Sequence, residues 1–398
     1  MNNRVLIFMR EELLEPAGGP AAVCYFYKKE QDLRKDNYFE FLKTKENHAT
    51  LHEKEKFLEK LPKFLNSLYD YTKSLYKTIL LINGKYHVDN IDINHFDIIH
   101  FHDALSLFLM KNQLENYKGK VILQSHTPQP QRQELIANLP LFVRNLIPNL
   151  EKKYEKIDRY AFERADFIIF PCPDAEEPYV NNWSYYSIIK EKKKMSYRYI
   201  LTGIPECYPK RSRNEVLSEL NIAEQDFFVC FVGRHNEVKG YDKLKKIGQK
   251  YLEEDKEAWF VCAGKEEPLT RLNHDRWIEI GWTKDAHSYI AASDVFILPN
   301  KETYFDIVML EVLSLGKIVI ASRTGGNKFF EKTGCEGVFL YDTIEEAVGL
   351  LKKVRSLSQE QRNELGKKNY LFYKNNNTVA SMYDSYIKTL NDISKLGK

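Results

Sequence analysis

Short apolar runs recur along this chain, each followed by a stretch long enough for a helix, and the runs are continuous rather than alternating. A strand wet on one face alternates polar with apolar residues, so unbroken apolar runs predict strands covered on both faces, as in parallel sheets layered by helices. The first series is VLIFM (5–9), ILLIN (79–83), DIIHF (97–101), VILQS (121–125), DFIIF (166–170) and YILTG (199–203). The second is FFVCFVG (227–233), WFVCAG (259–264), WIEIG (277–281), DVFILP (294–299), KIVIAS (317–322) and GVFLY (337–341). Two series predict two doubly wound α/β domains, and 398 residues suffice to give each its own core. The break falls near Pro205–Arg213, where ECYPKRSR is polar and aperiodic, so the domains read as 1–207 and 208–377. Residues 31–77, rich in Lys and Glu, read as an inserted helical segment, and 378–398 as a terminal helix.

The balance of charge narrows the function classes. A net charge of +3 is too small for non-specific nucleic-acid binding. None of the six cysteines pairs as C-x-x-C, no His/Cys cluster has zinc spacing, and no Asp-x-Asp occurs. Cys230 and Cys262, inside apolar runs, read as buried free thiols, which suits a cytoplasmic protein. The apolar run in MNNRVLIFMREE is too short for a signal peptide, and no run approaches the roughly 20 residues of a membrane span. A soluble or peripheral protein is expected, cytoplasmic or at the inner face of the membrane. Segment 135–157 mixes large apolar side chains with Lys152, Lys153 and Lys156. Together with Lys190 and Lys192–Lys194 it fits either peripheral contact with an anionic bilayer or ordinary packing under a solvated face.

Ligands of open parallel sheets bind beyond the carboxyl ends of the strands, so candidate residues should follow strands. Gly18 and Gly19 follow the first one, in a loop where backbone N–H groups could approach a ligand or simply turn. DIIHFHD ends on His100 and His102, and VILQSHT brings His126 to the next strand end, making a histidine rim. FVGRHNEVKGYDKL places Gly233, Arg234 and Lys239 after a strand and Gly240 near a helix start, a cationic loop suited to a diphosphate. Further on, KETYFDIVMLEVLSLG carries Glu302, Thr303, Phe305 and Asp306 into an apolar helix containing Glu311. A carboxylate there needs donors, and vicinal sugar hydroxyls could supply them. The following strand ends at Thr324, Gly325 and Gly326, another loop open to close backbone approach.

These pieces, in this order, resemble the group 1 glycosyltransferases (glycosyltransferase family 4): VGR….KG at 232–240, AG at 263–264, IGW at 280–282, SDVFILPN at 293–300, FDIVMLEVLSLGKIVIAS at 305–322 and TGG at 324–326. The GG loop, DIIHFHD, QSHT and ERADFIIFP extend the likeness more loosely to the first half. The resemblance implies a GT-B fold, two Rossmann-like domains facing a central cleft. The first would lie on the acceptor side, the second would bind a nucleotide-sugar, and the terminal helix would cross back. It implies a retaining, metal-independent transferase with no cofactor, acting on a nucleoside-diphosphate-sugar, first among them a UDP-sugar. The acceptor would be a glycan, a lipid-linked glycan or a protein, in cell-surface polysaccharide or glycoconjugate synthesis. By the same resemblance Arg234 and Lys239 would hold the diphosphate, with Gly233 beside them. Glu311 would hold the ribose, and the loop at Thr324–Gly326 would lie near the diphosphate or sugar. His102, His126 and the Gly18–Gly19 loop would face the sugar from the other domain.

Two positions depart from the family. Its Glu-x7-Glu pattern, counted back from Glu311, lands on Thr303, with Glu302 one residue early; Glu302 reads as the sugar contact if the loop bulges. Asp306 stands where the family has glycine, at a helix start where an acidic side chain caps well. The altered motif admits a catalytically silent partner subunit, and the fold admits a nucleotide-sugar epimerase.

Overall fold

The computed structural model describes residues 4–8, 19–42, 63–85 and 91–396. They form two compact units, one of Met1–Phe170, Tyr179–Arg198 and Asp392–Lys398, the other of Pro171–Pro178 and Tyr199–Asn391.

The first unit is built on a six-stranded sheet of β1 (Val5–Phe8), β2 (Phe39–Phe41), β3 (Ile98–Phe101), β4 (Lys120–Gln124), β5 (Phe167–Phe170) and β6 (Tyr197–Tyr199), in the order β2-β1-β3-β4-β5-β6. The second holds β7 (Phe227–Val232), β8 (Ala258–Ala263), β9 (Trp277–Gly281), β10 (Val295–Leu298), β11 (Val319–Ser322) and β12 (Val338–Tyr341), in the order β12-β11-β10-β7-β8-β9. Pairing is parallel in both, as in Val5 opposite Ile98 and Phe227 opposite Ala258. This is the GT-B pair of Rossmann-like sheets.

The inner strands β1, β3, β5, β10 and β11 are buried along their whole length, whereas edge strands β9 and β12 are half-exposed. Continuous apolar sequence follows from that double burial. In the second unit Phe227, Val229 and Phe231 of β7 pack on Leu244, Ile247 and Tyr251 of the helix Tyr241–Glu254. Fully burying each such side chain contributes about 1.5–3 kcal/mol.

Three local readings change. ILLIN (79–83) ends the helix Lys63–Ile82, with Thr78 and Leu81 turned inward and Ile79 outward. Its apolar run is one end of an amphipathic helix, and so short a run looks the same in either state. YILTG contributes strand only through Tyr199. Within 31–77, Phe39–Phe41 pairs with β1 as an edge strand, while 43–62 lie outside the described residues.

Each strand order reverses once, between β1 and β3 and again between β7 and β10. The crevices beyond those carboxyl ends are where open α/β sheets take ligands.

Candidate functional site

In the first unit the reversal presents a stack of histidines. His100 and His102, on β3 and just past it, have ring centroids 4.1 Å apart, and His102 lies nearly parallel to His126 at 5.0 Å. His102 Nδ1 is 2.8 Å from His126 Nε2, so one nitrogen of that pair carries the proton and the other accepts it. Nε2 of His102, fully buried, has no hydrogen-bond partner among the described residues. Burial, with the neighbouring rings, pushes His102 well below its usual pKa. Burial also takes His100, near His126, and His126 itself to about 3. The rings are therefore neutral at physiological pH and offer hydrogen bonds, not charge. Of the glycine loop, Gly18 lies outside the described residues and Gly19 opens the helix Gly19–Arg34.

The second reversal gathers most of the remaining candidates. Gly233, at the end of β7, donates its N–H to Ala263 O, which ties this loop to the end of β8. Arg234 is exposed, and no described carboxylate pairs with its guanidinium. His235 is buried flat against Tyr241, ring centroids 3.8 Å apart, and anchors the turn from beneath. Asn236 Oδ1 accepts the N–H of Lys239 at 2.9 Å. Gly240 follows at φ +69°, where a Cβ would stand 1.8 Å from Pro299 O. Only glycine allows the loop after β7 to lie this close to the loop after β10.

Asp306 is the hub between these loops. It caps the helix Ile307–Ser314, as its place in the sequence predicts, accepting from Val308 N at 3.4 Å. Its other oxygen takes Lys239 Nζ at 2.5 Å and Asn300 Nδ2 at 2.9 Å. Burial alone would raise its pKa, but the Lys239 charge and these hydrogen bonds outweigh it and hold the carboxyl below its usual range. Lys239, which the resemblance assigns to the diphosphate, is thus paired with Asp306, whereas Arg234 has no described carboxylate partner.

The sugar-end candidates are arranged tightly. Glu302 is half-buried; Thr303 is buried and its carbonyl accepts Gly326 N–H at 3.4 Å. Phe305 turns its ring inward against Phe330 and Phe329, at 5.4 and 5.9 Å. Thr324 Oγ1 and Gly325 N bond Glu177 Oε1 at 3.4 and 3.1 Å, and Lys328 pairs with the other oxygen. Sequence reasoning missed Glu177, which lies 147 residues from Thr324 and joins this turn only through the fold.

Glu311 has a protein partner beside it. It is 27% exposed, and His287 Nε2 stands 3.6 Å from its Oε1. The neighbouring Cys207 side chain and the Glu311 carboxylate hold His287 up to about 10, so this histidine is a cation at neutral pH.

Other features lie apart from these crevices. A cavity of about 340 Å³ opens at the amino ends of β3 and β4, among Asp97, Tyr117, Lys120 and Ser394, the wrong end of the strands for a ligand site of this fold. Cys230 and Cys262 are buried free thiols. No helix among the described residues is long and apolar enough to cross a membrane.

Residues 226–360 match the family model for glycosyl transferases group 1. Over 315 residues the chain is 22% identical to an uncharacterized 41.2 kDa protein in the cps region of Klebsiella pneumoniae, covering 76% of this chain and 80% of that one. It is 23% identical over 181 residues to the lipopolysaccharide 1,2-N-acetylglucosaminetransferase of Salmonella typhimurium, 41% of this chain and 48% of that protein. Its fold is similar to that of Anabaena HepE, solved in complex with UDP-glucose, with a TM-score of 0.62 at 12% identity over 98% of this chain and 100% of the other.

Proposed function

We propose that this chain, of GT-B fold and matching the group 1 glycosyltransferase model over residues 226–360, is a transferase that moves a sugar from a nucleoside-diphosphate-sugar to a glycan, lipid-linked or protein acceptor, with retention at the anomeric carbon. One observation carries the reading: an open cation, a second cation paired with a carboxylate and a partly exposed acidic side chain lie on the segments that follow β7 and β10, beside the strand-order reversal. As the bond from sugar to diphosphate breaks, negative charge builds on the departing phosphate. Arg234 meets it directly, and Lys239 meets it by exchanging Asp306 for phosphate oxygens. Cations held against a departing phosphate are worth roughly 2–4 kcal/mol each to such a transition state. The HepE complex supports a UDP-sugar donor, and the relative in a cps region supports a role in surface polysaccharide synthesis.

A thermal-shift panel of nucleoside diphosphates and their sugars tests the donor. A ligand at a hundred times its Kd adds about 2.7 kcal/mol to the folded state, so UDP or a UDP-sugar is expected to raise Tm by several degrees. A panel in which no nucleotide shifts Tm would sink the reading.

The silent-subunit reading is favoured by one observation, the neutralisation of Lys239 by Asp306. Turnover of a nucleotide-sugar by the purified chain decides against it.

Peripheral membrane contact is proposed for the helix Leu141–Leu146, whose Leu141, Phe142 and Leu146 are all exposed. Liposome flotation is expected to carry the protein only when anionic lipid is present; equal recovery without it would retire the contact.

A further inference from the structure

Glu311 has its protein contact on one side. Among the described residues His287 is its one ion-pair partner, and it meets Oε1. The two side chains, 35% and 27% exposed, remain within reach of a solute.

The imidazole is held in place by its neighbours. His287 lies in the first turn of the helix Ala286–Ala292, between Asp285 and Ser288, whose side chains bond each other at 2.7 Å. Asp285 also takes Arg211 Nε at 2.8 Å. Buried Ser288 Oγ accepts the backbone N–H groups of Lys210 and Arg211 at 2.9 and 3.0 Å. Upstream in the same segment, Cys207 lies beside the imidazole, and its N–H donates at 2.9 Å to Ser314 Oγ on the helix that carries Glu311. Residues 207–211 thus bracket the two helices and fix the distance between His287 and Glu311.

A carboxylate free to rotate presents either oxygen to a ligand. One drawn to a cation on Oε1 keeps Oε2 outward, leaving acceptor sites spaced for two adjacent hydroxyls. We infer that His287 is a positioning residue for the ribose of the donor, orienting the Glu311 carboxylate so that it reads a vicinal diol. The inference rests on the nucleoside-diphosphate reading above. A pair that merely ties two helices together would affect stability and be indifferent to the ligand's hydroxyls.

Calorimetry on the full chain separates these cases. UDP, GDP and ADP, which share the ribose whatever the base, are titrated beside their 2′-deoxy forms into wild type, His287→Ala, His287→Gln and Glu311→Gln. In wild type, loss of the 2′-hydroxyl is expected to weaken the bound diphosphate roughly tenfold, the cost of one unmade hydrogen bond. In His287→Ala the penalty should fall below about threefold, with Tm nearly unchanged because a partly exposed ion pair 3.6 Å apart contributes little to stability. His287→Gln, whose amide can still donate, should keep most of the penalty. A wild-type-sized penalty in His287→Ala, together with its loss in Glu311→Gln, would overturn the role of His287 and leave the donor reading standing. Failure of all three diphosphates to bind wild type would remove the donor reading and this inference with it.

Discussion

Arg234→Ala is expected to lower turnover about a hundredfold with Tm unchanged, because the guanidinium is exposed, has no described carboxylate partner and can act only on a ligand. Lys239→Ala should cost at least as much but conflates two effects. It removes a phosphate ligand, and it strips the cation from Asp306, whose side chain is 10% exposed. Leaving a buried charge unpaired destabilises by up to about 3–5 kcal/mol. Asp306→Asn separates them. Asparagine caps a helix as well as aspartate does, so the helix Ile307–Ser314 should keep its start. Without the carboxylate Lys239 is no longer shared, and affinity for a nucleoside diphosphate should rise severalfold. Steady-state kinetics and calorimetry on the three variants check the scheme. Arg234→Ala turning over within about threefold of wild type would remove the diphosphate clamp. Weaker diphosphate binding in Asp306→Asn would show that the carboxylate assists the ligand rather than competing with it.

What the sequence made legible was set by local physics. Strands buried on both faces must be apolar throughout, so β7, β8, β10 and β11 stand out as runs. The loops beyond them could then be located by counting past each run. Phe39–Phe41 escaped because three residues of an edge strand carry too little pattern, and ILLIN misled because a short apolar run fits the end of a helix equally well. At the site, residue types and positions were legible but partnerships were not. Asp306 was recognisable as a cap from its neighbours; its ion pair with Lys239, 67 residues away, was not. The same holds for His287 beside Glu311 and for Glu177 on the Thr324–Gly325 turn. Each joins segments that meet only once a sheet has formed, and no periodicity encodes which side chain will lie opposite which.

The histidine stack gives the first unit a steep dependence on acid. Unfolded, each imidazole takes a proton near its ordinary pKa of about 6.5. Folded, His100 and His126 resist protonation down to about 3, and His102 is likewise held well below its usual value. The sign follows from proton counting. Above pH 6.5 both states are neutral and stability is flat; as pH falls below 6.5 the unfolded chain binds protons that the folded unit refuses, so stability is lost. At pH 5.5 His100 and His126 each cost somewhat more than about 1 kcal/mol relative to pH 8, and His102 acts in the same direction. Asp158 opposes them. Burial, only partly offset by Arg132, raises its carboxyl to about 6, so the folded unit takes up one proton there and recovers somewhat less than 1 kcal/mol at pH 5.5. His100 and His126 alone leave a net loss of about 2 kcal/mol, a large share of the stability of an ordinary domain, and His102 adds to it. In the second unit burial lowers His235 to about 4, while His287, held up to about 10, gains stability as pH falls toward 6.5 and so opposes it. Hydrogen exchange on the full chain should therefore show protection in β3 and β4 falling faster between pH 7 and 5.5 than in β7 and β8, after correction for intrinsic rates. His126→Gln should flatten the fall in β3 and β4 by about one proton's worth. Equal slopes in the two sheets, or a slope in β3 and β4 that His126→Gln leaves unchanged, would show that the buried rings accept protons without opening the fold.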